Sequence, residues 1–331
     1  MSEPRVISYR EAFTEAIHQA MAADPDVFVA GEDVGAHGGV FHTFDGLQDA
    51  FGAERVVDTP IAEQAIIGLG VGAAAVGLRP IVDLMFMDFV CVAMDQIANQ
   101  AAKIKYMFGG TTTLPLTITT SGGAGLSAAA QHSQSLEAML CHIPGLKVAY
   151  PSNAHDMKGL MTACIREDNP TIMVKNKVLL GAKGDVPQEA YEIPLGEAAI
   201  VRQGTDVTIV AVGRMVGEAA KAADTLGAAG VSCEVIDPRS LQPLDTDTIV
   251  ESVRRTNRVV VVHEAVRFGG IGAEIASQIQ EAAFDYLDAP VARVGAPFSP
   301  VPFSPALEQA YVPNSDRIVA EILEVLGMGP G

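Results

Sequence analysis

The sequence lacks the features of several protein classes. It has no tryptophan, only 5% aromatic residues, and 22 basic against 40 acidic side chains, which gives a net charge of −18. That balance argues against a nucleic-acid-binding protein, which needs a basic surface. No uninterrupted apolar run reaches the roughly 18 residues of a membrane-spanning helix, and the N-terminus has no basic-then-apolar signal pattern. We therefore expect neither a nucleic acid nor a membrane as partner.

Cysteine is scarce, and several nucleotide-binding and catalytic motifs are missing. Cys91, Cys141, Cys164 and Cys233 are scattered without metal-binding spacing, a pattern typical of buried thiols in a cytoplasmic protein. No glycine-rich dinucleotide fingerprint, phosphate-binding loop or nucleophile elbow is present. A Gly-Asp-Gly sequence followed at a distance by Asn is also absent. The missing motifs exclude the commonest nucleotide-dependent enzymes and serine hydrolases.

Apolar runs and amphipathic stretches alternate along most of the chain. Residues 8–23 form an amphipathic pattern with Ser8 as N-cap, and a short buried strand follows over 26–31. Strands and helices then alternate, with a helix expected over residues 89–107 and another over 154–167. This alternation predicts an α/β fold with an open, mostly parallel sheet and helices on both faces.

A turn-rich stretch interrupts the alternation over residues 176–205. A second series of strands and helices begins with the apolar run 207–213. Residues 296–305 contain four prolines and predict an extended or turning link rather than a helix or strand. The sequence therefore predicts two α/β domains, residues 1–190 and 191–331.

The segment Asp58-Thr-Pro-Ile-Ala-Glu63 places one carboxylate ahead of a run of small apolar residues. Asp58 and Thr59 are suitable helix caps, and Glu63 would then lie in the first turn. Two interpretations remain open: Glu63 is the acid of a capping box, or it is a buried acid that faces a ligand. The glycines that follow each cost up to about 1 kcal/mol in a helix, so we expect another helix or a subunit to pack against them.

Two further sites carry titratable residues. Glu32 and Asp33 follow a predicted strand, at the end where open α/β sheets bind ligands, although two solvated loop acids are an equal alternative. His132 lies among alanines and serines beyond a glycine-rich loop. Its titration range suits acid–base chemistry, whereas a lone histidine is more often structural.

Motifs spread over nearly the whole chain resemble one family. They are Gly31-Glu-Asp-Val34, Asp58-Thr-Pro-Ile-Ala-Glu63, Gly77-Leu-Arg-Pro80, Asp95-Gln-Ile97, Asn99-Gln-Ala-Ala-Lys103, Ala129-Ala-Gln-His-Ser-Gln134, Pro144-Gly-Leu-Lys-Val148, Asp237-Pro-Arg-Ser-Leu-Gln-Pro-Leu-Asp245, His263-Glu264 and Tyr311-Val-Pro313. The chain resembles the β subunit of the thiamine-diphosphate-dependent dehydrogenase component of 2-oxo acid dehydrogenase complexes, which is transketolase-like. Met85–Phe89, Tyr106–Gly110 and Pro300–Ser304 look most similar to the acetoin dehydrogenase branch. The loop after Asp33 departs from that branch because it is short.

The resemblance implies roles for five residues. Glu63 matches the acid that hydrogen-bonds the pyrimidine ring of thiamine diphosphate, and Phe89 matches the aromatic residue that packs on that ring. Glu32 and Asp95 match members of an acidic channel between two cofactors. His132 matches an active-site histidine that handles the acyl intermediate or the incoming lipoyl group. A possible structural potassium site is also implied, at Leu116, Cys164, Glu167 and Asn169.

The absent Gly-Asp-Gly motif is the one that holds Mg²⁺ and the diphosphate in this cofactor class. Hard oxygen ligands suit Mg²⁺, so the resemblance implies that a separate α subunit carries the metal. The expected assembly is an α₂β₂ heterotetramer that transfers an acyl unit to a lipoyl-bearing acyltransferase. Acetoin is the favoured substrate, with pyruvate or a branched-chain 2-oxo acid as alternatives. A non-catalytic scaffold of the same fold and a self-sufficient thiamine enzyme are the competing interpretations.

Overall fold

The computed structural model describes residues 5–328. These residues form two compact units. The first unit contains the chain up to residue 122 and residues 139–195, and the second contains residues 123–138 and the chain from residue 196 onward. The segment 123–138, which carries His132, therefore belongs to the second unit although it lies within the first half of the sequence.

The first unit is built around a parallel sheet. Its strands are β1 (Val6–Ser8), β2 (Val27–Gly31), β3 (Val56–Asp58), β4 (Arg79–Phe86), β5 (Thr117–Gly122), β6 (Lys147–Ala149), β7 (Thr171–Asn176) and β8 (Lys183–Asp185). Its helices are α1 (Tyr9–Ala23), α2 (Leu47–Phe51), α3 (Glu63–Ala75), α4 (Ile104–Met107), α5 (Glu137–Cys141), which spans the boundary with the second unit, and α6 (Ala154–Arg166).

Six of these strands lie in the order β6-β7-β5-β4-β2-β3, and all their pairings are parallel. In the register, Gly31 at the end of β2 pairs with Asp58 on β3 and with Asp83 on β4. The carboxyl ends of these strands therefore share one edge of the sheet, the edge where open α/β sheets bind ligands. β1 and β8, which the sequence pattern did not predict, form a separate antiparallel pair.

Helices α1 and α6 enclose the main core of this unit. Ser8 caps α1 and forms a full capping box with Glu11, while Asn153 caps α6. Both helices place apolar side chains against β2, β4 and β7, around Phe13, Ile17 and Leu160. The sequence pattern therefore identified both helices correctly, and also the Ser8 cap of α1.

Residues 87–107 do not form the single predicted helix. The segment divides into a 3₁₀-helix (Met87–Cys91), a π-helix (Gln96–Ala101) and the short α4. Local composition favours a helix here, but the tertiary structure changes the hydrogen-bond pattern twice. π-Helical turns of this kind are frequent at functional sites.

The second unit has its own sheet, with strand order β14-β13-β10-β11-β9. Its elements are β9 (Ala199–Arg202), β10 (Val207–Ala211), α7 (Met215–Ala228), β11 (Cys233–Asp237), β12 (Ser240–Gln242), α8 (Thr246–Thr256), β13 (Val259–Val266), α9 (Ile271–Ala283), β14 (Ala292–Ala296), α10 (Pro305–Tyr311) and α11 (Ser315–Val325). Only β9 pairs antiparallel within this sheet. The α/β class is therefore confirmed for both halves of the chain.

Three details correct or limit the expectations from sequence. The proline-rich stretch ends in α10, which starts with Pro305 at a first-turn position. Cys91 is exposed and Cys141 is half-buried, so only Cys164 and Cys233 are the buried thiols that were expected. Within residues 5–328, each helix is too short or too polar to cross a bilayer.

Candidate functional site

The ligand-binding edge of the first sheet is lined by acids. Glu32 directly follows β2 and is half-buried, and Asp58 ends β3. The Oδ1 atom of Asp58 accepts a hydrogen bond from the backbone N–H of Gly35 at 2.6 Å, and the N–H of Thr59 donates to the carbonyl of Gly31 at 2.9 Å. These bonds hold the β2 and β3 ends together and fix the start of the segment that leads to Glu63.

Glu63 is the first residue of α3, and the N-cap residue is Ala62, which makes no side-chain capping bond. The capping-box interpretation of Glu63 is therefore wrong, because Asp58 is bound to Gly35 instead of capping the helix. Glu63 is half-buried at the positive end of the helix dipole, where a carboxylate is stabilised by about 0.3–1 kcal/mol. The second interpretation, an acid that faces a ligand, stays a prediction, and the side chain is half-buried rather than buried.

Glu32 and Glu63 interact electrostatically. Burial raises the pKa of the Glu32 carboxyl above its ordinary value, and the negative charges of Asp33 and Glu63 raise it further. Like charges near one another disfavour the ionised form of a carboxyl group. The Glu32 carboxyl therefore keeps its proton to a higher pH than an isolated glutamate does.

The aromatic side of the site follows β4. Phe89 lies half-buried in the 3₁₀-helix Met87–Cys91, and its ring meets that of Phe86 edge to face, with centroids 5.7 Å apart. Phe86 in turn meets Phe41, 5.3 Å away, and the Lys177 ammonium lies 5.2 Å from the Phe86 ring centroid. Sequence reasoning identified Phe89 and missed Phe41 and Phe86, because the loop containing Phe41 comes close to β4 only in the folded chain.

Asp95 lies on a different element from the acid pair. It is exposed, it precedes the π-helix, and its Oδ1 atom accepts a hydrogen bond from the Asn99 amide at 2.8 Å. Its role in a shared acidic channel therefore stays a prediction.

Several buried hydroxyl oxygens near the sheet edge have no hydrogen-bond partner among residues 5–328. They belong to Thr59 after β3 and to Thr120 and Ser121 at the end of β5. Buried polar groups in folded proteins are nearly always hydrogen-bonded. These buried hydroxyls at the carboxyl edge of the sheet therefore keep hydrogen-bonding capacity for a polar ligand.

The second unit carries His132 on the loop 123–138, where the histidine is half-buried. Carboxylates of this unit bind the start of the loop. Glu264 accepts a hydrogen bond from the N–H of Ala124 at 2.6 Å. Glu308 accepts from the N–H groups of Gly125 at 2.7 Å and Ser127 at 2.8 Å. The loop that carries His132 is therefore fixed by charge-assisted bonds, which are stronger than neutral ones.

A cavity of about 360 Å³ lies beside this loop within the second unit. Ala130 and Ser133, on either side of His132 in sequence, line it together with Glu264 and Phe298. Near this cavity Glu137 is fully buried, and burial, with a smaller effect from the Glu264 charge, raises the pKa of its carboxyl to about 7. The cavity is mainly apolar, with two acids close by, and suits a short hydrocarbon chain with a polar end.

The four residues of the expected potassium site lie near one another, but lysines accompany them. The carbonyl oxygen of Leu116 accepts from the Thr171 N–H at 2.9 Å, and that of Cys164 accepts from the Thr117 hydroxyl at 3.1 Å. The Glu167 carboxylate binds the Lys147 ammonium at 2.5 Å, and the Asn169 amide oxygen binds Lys105 at 2.7 Å. The Cys164 carbonyl oxygen also accepts from the Thr171 hydroxyl at 3.4 Å and from the Glu167 N–H at 3.3 Å. The carbonyl and side-chain oxygens therefore already have hydrogen-bond donors, and the potassium site stays a prediction.

Comparison with known proteins identifies the class. Residues 5–183 match the family model "Transketolase, pyrimidine binding domain", and residues 196–318 match "Transketolase, C-terminal domain". A solved structure described as "Split gene transketolase, inactive beta4 tetramer" is similar at a TM-score of 0.79 and 26% identity, covering 98% of this chain and 99% of that one. Together with the fold, these matches define a transketolase-like α/β protein.

Two curated relatives narrow the class. The acetoin:2,6-dichlorophenolindophenol oxidoreductase subunit beta of Bacillus subtilis (strain 168) is 47% identical over 98% of each chain. The pyruvate dehydrogenase E1 component subunit beta of Rickettsia felis is 46% identical, over 96% of this chain and 98% of the relative. The chain belongs to the family of β subunits of thiamine-diphosphate-dependent acetoin and 2-oxo acid dehydrogenases, as its motifs predicted.

Proposed function

We propose that this chain is the β subunit of an acetoin dehydrogenase, that it binds the pyrimidine half of thiamine diphosphate, and that it acts only with a separate α subunit. The observation that carries the proposal is that Glu32, Glu63 and Phe89 follow the carboxyl ends of three neighbouring strands of the first sheet, β2, β3 and β4. The sequence has no Gly-Asp-Gly motif for Mg²⁺ and diphosphate. A chain with one half of a cofactor site requires the other half from a partner.

The role of Glu63 follows from its position. When bound, the cofactor supplies carbanion chemistry, and the protein orients it and tunes its electronics. Glu63 would hold the ring nitrogen remote from the amino group through a hydrogen bond, and Glu32 would lie on the same edge of the sheet as a second acid that could exchange a proton with the site. Phe89 would pack on the face of the pyrimidine ring.

The surface of the first unit supports a partner subunit. On α3, Leu69 and Val76 are exposed together with Gly72, where an added Cβ would meet no atom within 4 Å. Tyr106, Met107 and Phe108 form a second exposed apolar group, with Tyr106 87% exposed. Contiguous apolar surface of this kind usually marks an interaction site. We assign it to subunit contacts in an α₂β₂ assembly, acting in the cytoplasm.

The acyl acceptor is proposed to be a lipoyl group on an acyltransferase component. His132 and the cavity of about 360 Å³ support this assignment, since an alkyl chain with a polar end matches the cavity lining. We favour acetoin as the substrate because a relative that is 47% identical is an acetoin oxidoreductase subunit. Pyruvate is the second candidate, for the same kind of reason.

The test is turnover of the purified chain, alone and mixed with an acetoin dehydrogenase α subunit, in the presence of Mg²⁺ and thiamine diphosphate. Acetoin, pyruvate and branched-chain 2-oxo acids are offered in parallel with a dye acceptor. We expect activity only in the mixture and highest with acetoin. Replacing Glu63 with Gln is expected to lower kcat about 10²- to 10⁴-fold, the usual range for a lost acid–base group.

A matched control and a cation test complete this experiment. Glu54 is exposed on a nearby loop, and Glu54→Gln should leave turnover unchanged. Activity of the chain alone would refute the split-site proposal. For potassium, we propose that the ion binds at Leu116, Cys164, Glu167 and Asn169 and competes with Lys147 for the Glu167 carboxylate. KCl, compared with NaCl, should then raise the melting temperature more in Lys147→Met than in the parent.

A further inference from the structure

Strand β4 is irregular just before the aromatic cluster. Its pairing with β5 shifts register between Asp83 and Phe86. Met85 lies inside this bulge with φ of 54°, in the left-handed region. A bulky residue without a glycine's freedom rarely adopts that conformation, and when it does the surroundings must hold it there.

The Asp83 side chain is the group that holds the bulge. Its Oδ2 atom accepts a hydrogen bond from the Met85 N–H at 3.0 Å. Its Oδ1 atom accepts from the Thr119 hydroxyl and from the Lys175 ammonium, the latter at 2.8 Å. One carboxylate therefore ties the strained residue to the neighbouring strands β5 and β7.

Lys175 is itself confined. Asp83 is 7% exposed and Lys175 is 1% exposed, so both charges are buried. The ammonium lies 4.6 Å from the ring centroid of Phe13 and 5.1 Å from that of Phe44. A buried cation between two aromatic faces and one carboxylate has little freedom to move, and the carboxylate position is fixed in turn.

The bulge decides where the aromatic residues lie. Successive side chains along a strand point to opposite faces, so one extra residue reverses the direction of all those that follow. Phe86 comes directly after Met85, and the 3₁₀-helix with Phe89 begins one residue later. The bulge therefore sets the direction in which Phe86 leaves β4 and the point from which the 3₁₀-helix with Phe89 begins.

We propose that Asp83 and Lys175 are positioning residues: their buried ion pair fixes the bulge at Met85 and thereby places Phe86 and Phe89 against the cofactor ring. This inference rests on the proposed function for the identity of that ring. An ion pair with a purely structural role would contribute to stability alone, without a specific effect on cofactor binding.

The test uses the assembled α/β complex and measures thiamine diphosphate binding by calorimetry, with urea unfolding in parallel. The double variant Asp83→Asn/Lys175→Met removes both charges together, so neither is left buried alone. The asparagine introduced at position 83 offers the Met85 N–H only a neutral acceptor. We expect about tenfold weaker binding, since small displacements of positioning groups have effects of this size or larger.

Met85→Gly provides the rescue. Glycine adopts positive φ at no steric cost, so in the Gly background the bulge no longer needs the carboxylate. In the Met85→Gly background, the double substitution of Asp83 and Lys175 should therefore weaken thiamine diphosphate binding much less than it does in a protein that keeps Met85. The control is another ion pair of this unit, the buried Lys158 with the half-buried Glu15: Glu15→Gln/Lys158→Met should alter stability and leave binding unchanged.

Three outcomes would overturn the inference: unchanged binding in the double variant, an equal loss in the Gly background, or an equal loss in the control pair. If the parent complex binds no thiamine diphosphate, the proposed function fails instead. Hydrogen exchange then still tests the bulge, because the Met85 amide should exchange faster in the double variant than in the parent. Equal exchange would overturn the positioning role as well.

Discussion

Glu308 offers a direct test of how the loop 123–138 is held. Its side chain, on α10, is 4% exposed and accepts hydrogen bonds from the backbone N–H groups of Gly125 and Ser127 and from the Ser127 hydroxyl. Glu308→Ala removes both acceptor oxygens, and with them all three hydrogen bonds. Because the partners lie 181 and 183 residues away in the chain, no local element replaces the lost bonds.

The magnitude follows from the two short backbone bonds. A hydrogen bond to a charged group contributes about 1.5–3 kcal/mol, so the pair contributes about 3–6 kcal/mol before any solvation of the freed donors. A surface cavity lined by Gly125, Ser127 and Glu308 admits water to those donors. We therefore expect a loss of about 2–3 kcal/mol in the stability of the second unit. Glu308→Gln keeps a neutral acceptor and should lose about half as much.

Urea unfolding gives the stability change, and hydrogen exchange gives its location. Amides of residues 124–127 should lose protection in Glu308→Ala and keep part of it in Glu308→Gln. Gln309, the next residue on α10, provides a control as Gln309→Ala. A loss of stability with unchanged protection in the loop would refute the reasoning, because the carboxylate would then stabilise the helix rather than the loop that carries His132.

Three further predictions follow from the burial of charge and from the glycines. The neutral form of Glu137 is favoured in the fold, with a pKa of about 7 against an ordinary 4.5, so its contribution to stability falls as pH rises from 4.5 to about 7. The free energy of unfolding of Glu137→Gln, relative to that of the parent, should therefore rise by up to about 3 kcal/mol between pH 4.5 and pH 8, measured by urea unfolding. An equal dependence of stability on pH in both proteins would contradict this. Gly272→Ala should destabilise the protein by about 1–3 kcal/mol, because the added Cβ would lie 2.5 Å from the His263 ring. Gly217→Ala on α7 adds a Cβ that meets no atom within 4 Å, and it should stabilise the protein by up to about 1 kcal/mol. Urea unfolding of both variants measures the two changes. Gly72→Ala should stabilise the isolated chain similarly but weaken the assembly with the α subunit, measured by sedimentation; unchanged assembly would show that no partner packs there.

The sequence by itself determined the elements whose signals are local. Ser8 capped α1 as the sequence predicted, and a helix formed over Ala154–Arg166 where the pattern indicated one. Apolar runs of strand length, separated by amphipathic helices, were sufficient for the α/β class, because a parallel sheet requires such crossovers. Parallel strands also bring their carboxyl ends to one edge, so the position of Glu32 near the candidate site followed from the order of the chain.

Only the tertiary structure decided the features that depend on distant residues. The start of α3 at Glu63 depends on Asp58 binding Gly35, and the bulge at Met85 depends on Lys175, 92 residues from Asp83. The His132 loop belongs to the second unit because Glu264 and Glu308 bind its backbone. Caps and periodicity act over a few residues and are visible in sequence, whereas a buried carboxylate chooses its partners only after the chain has folded around it.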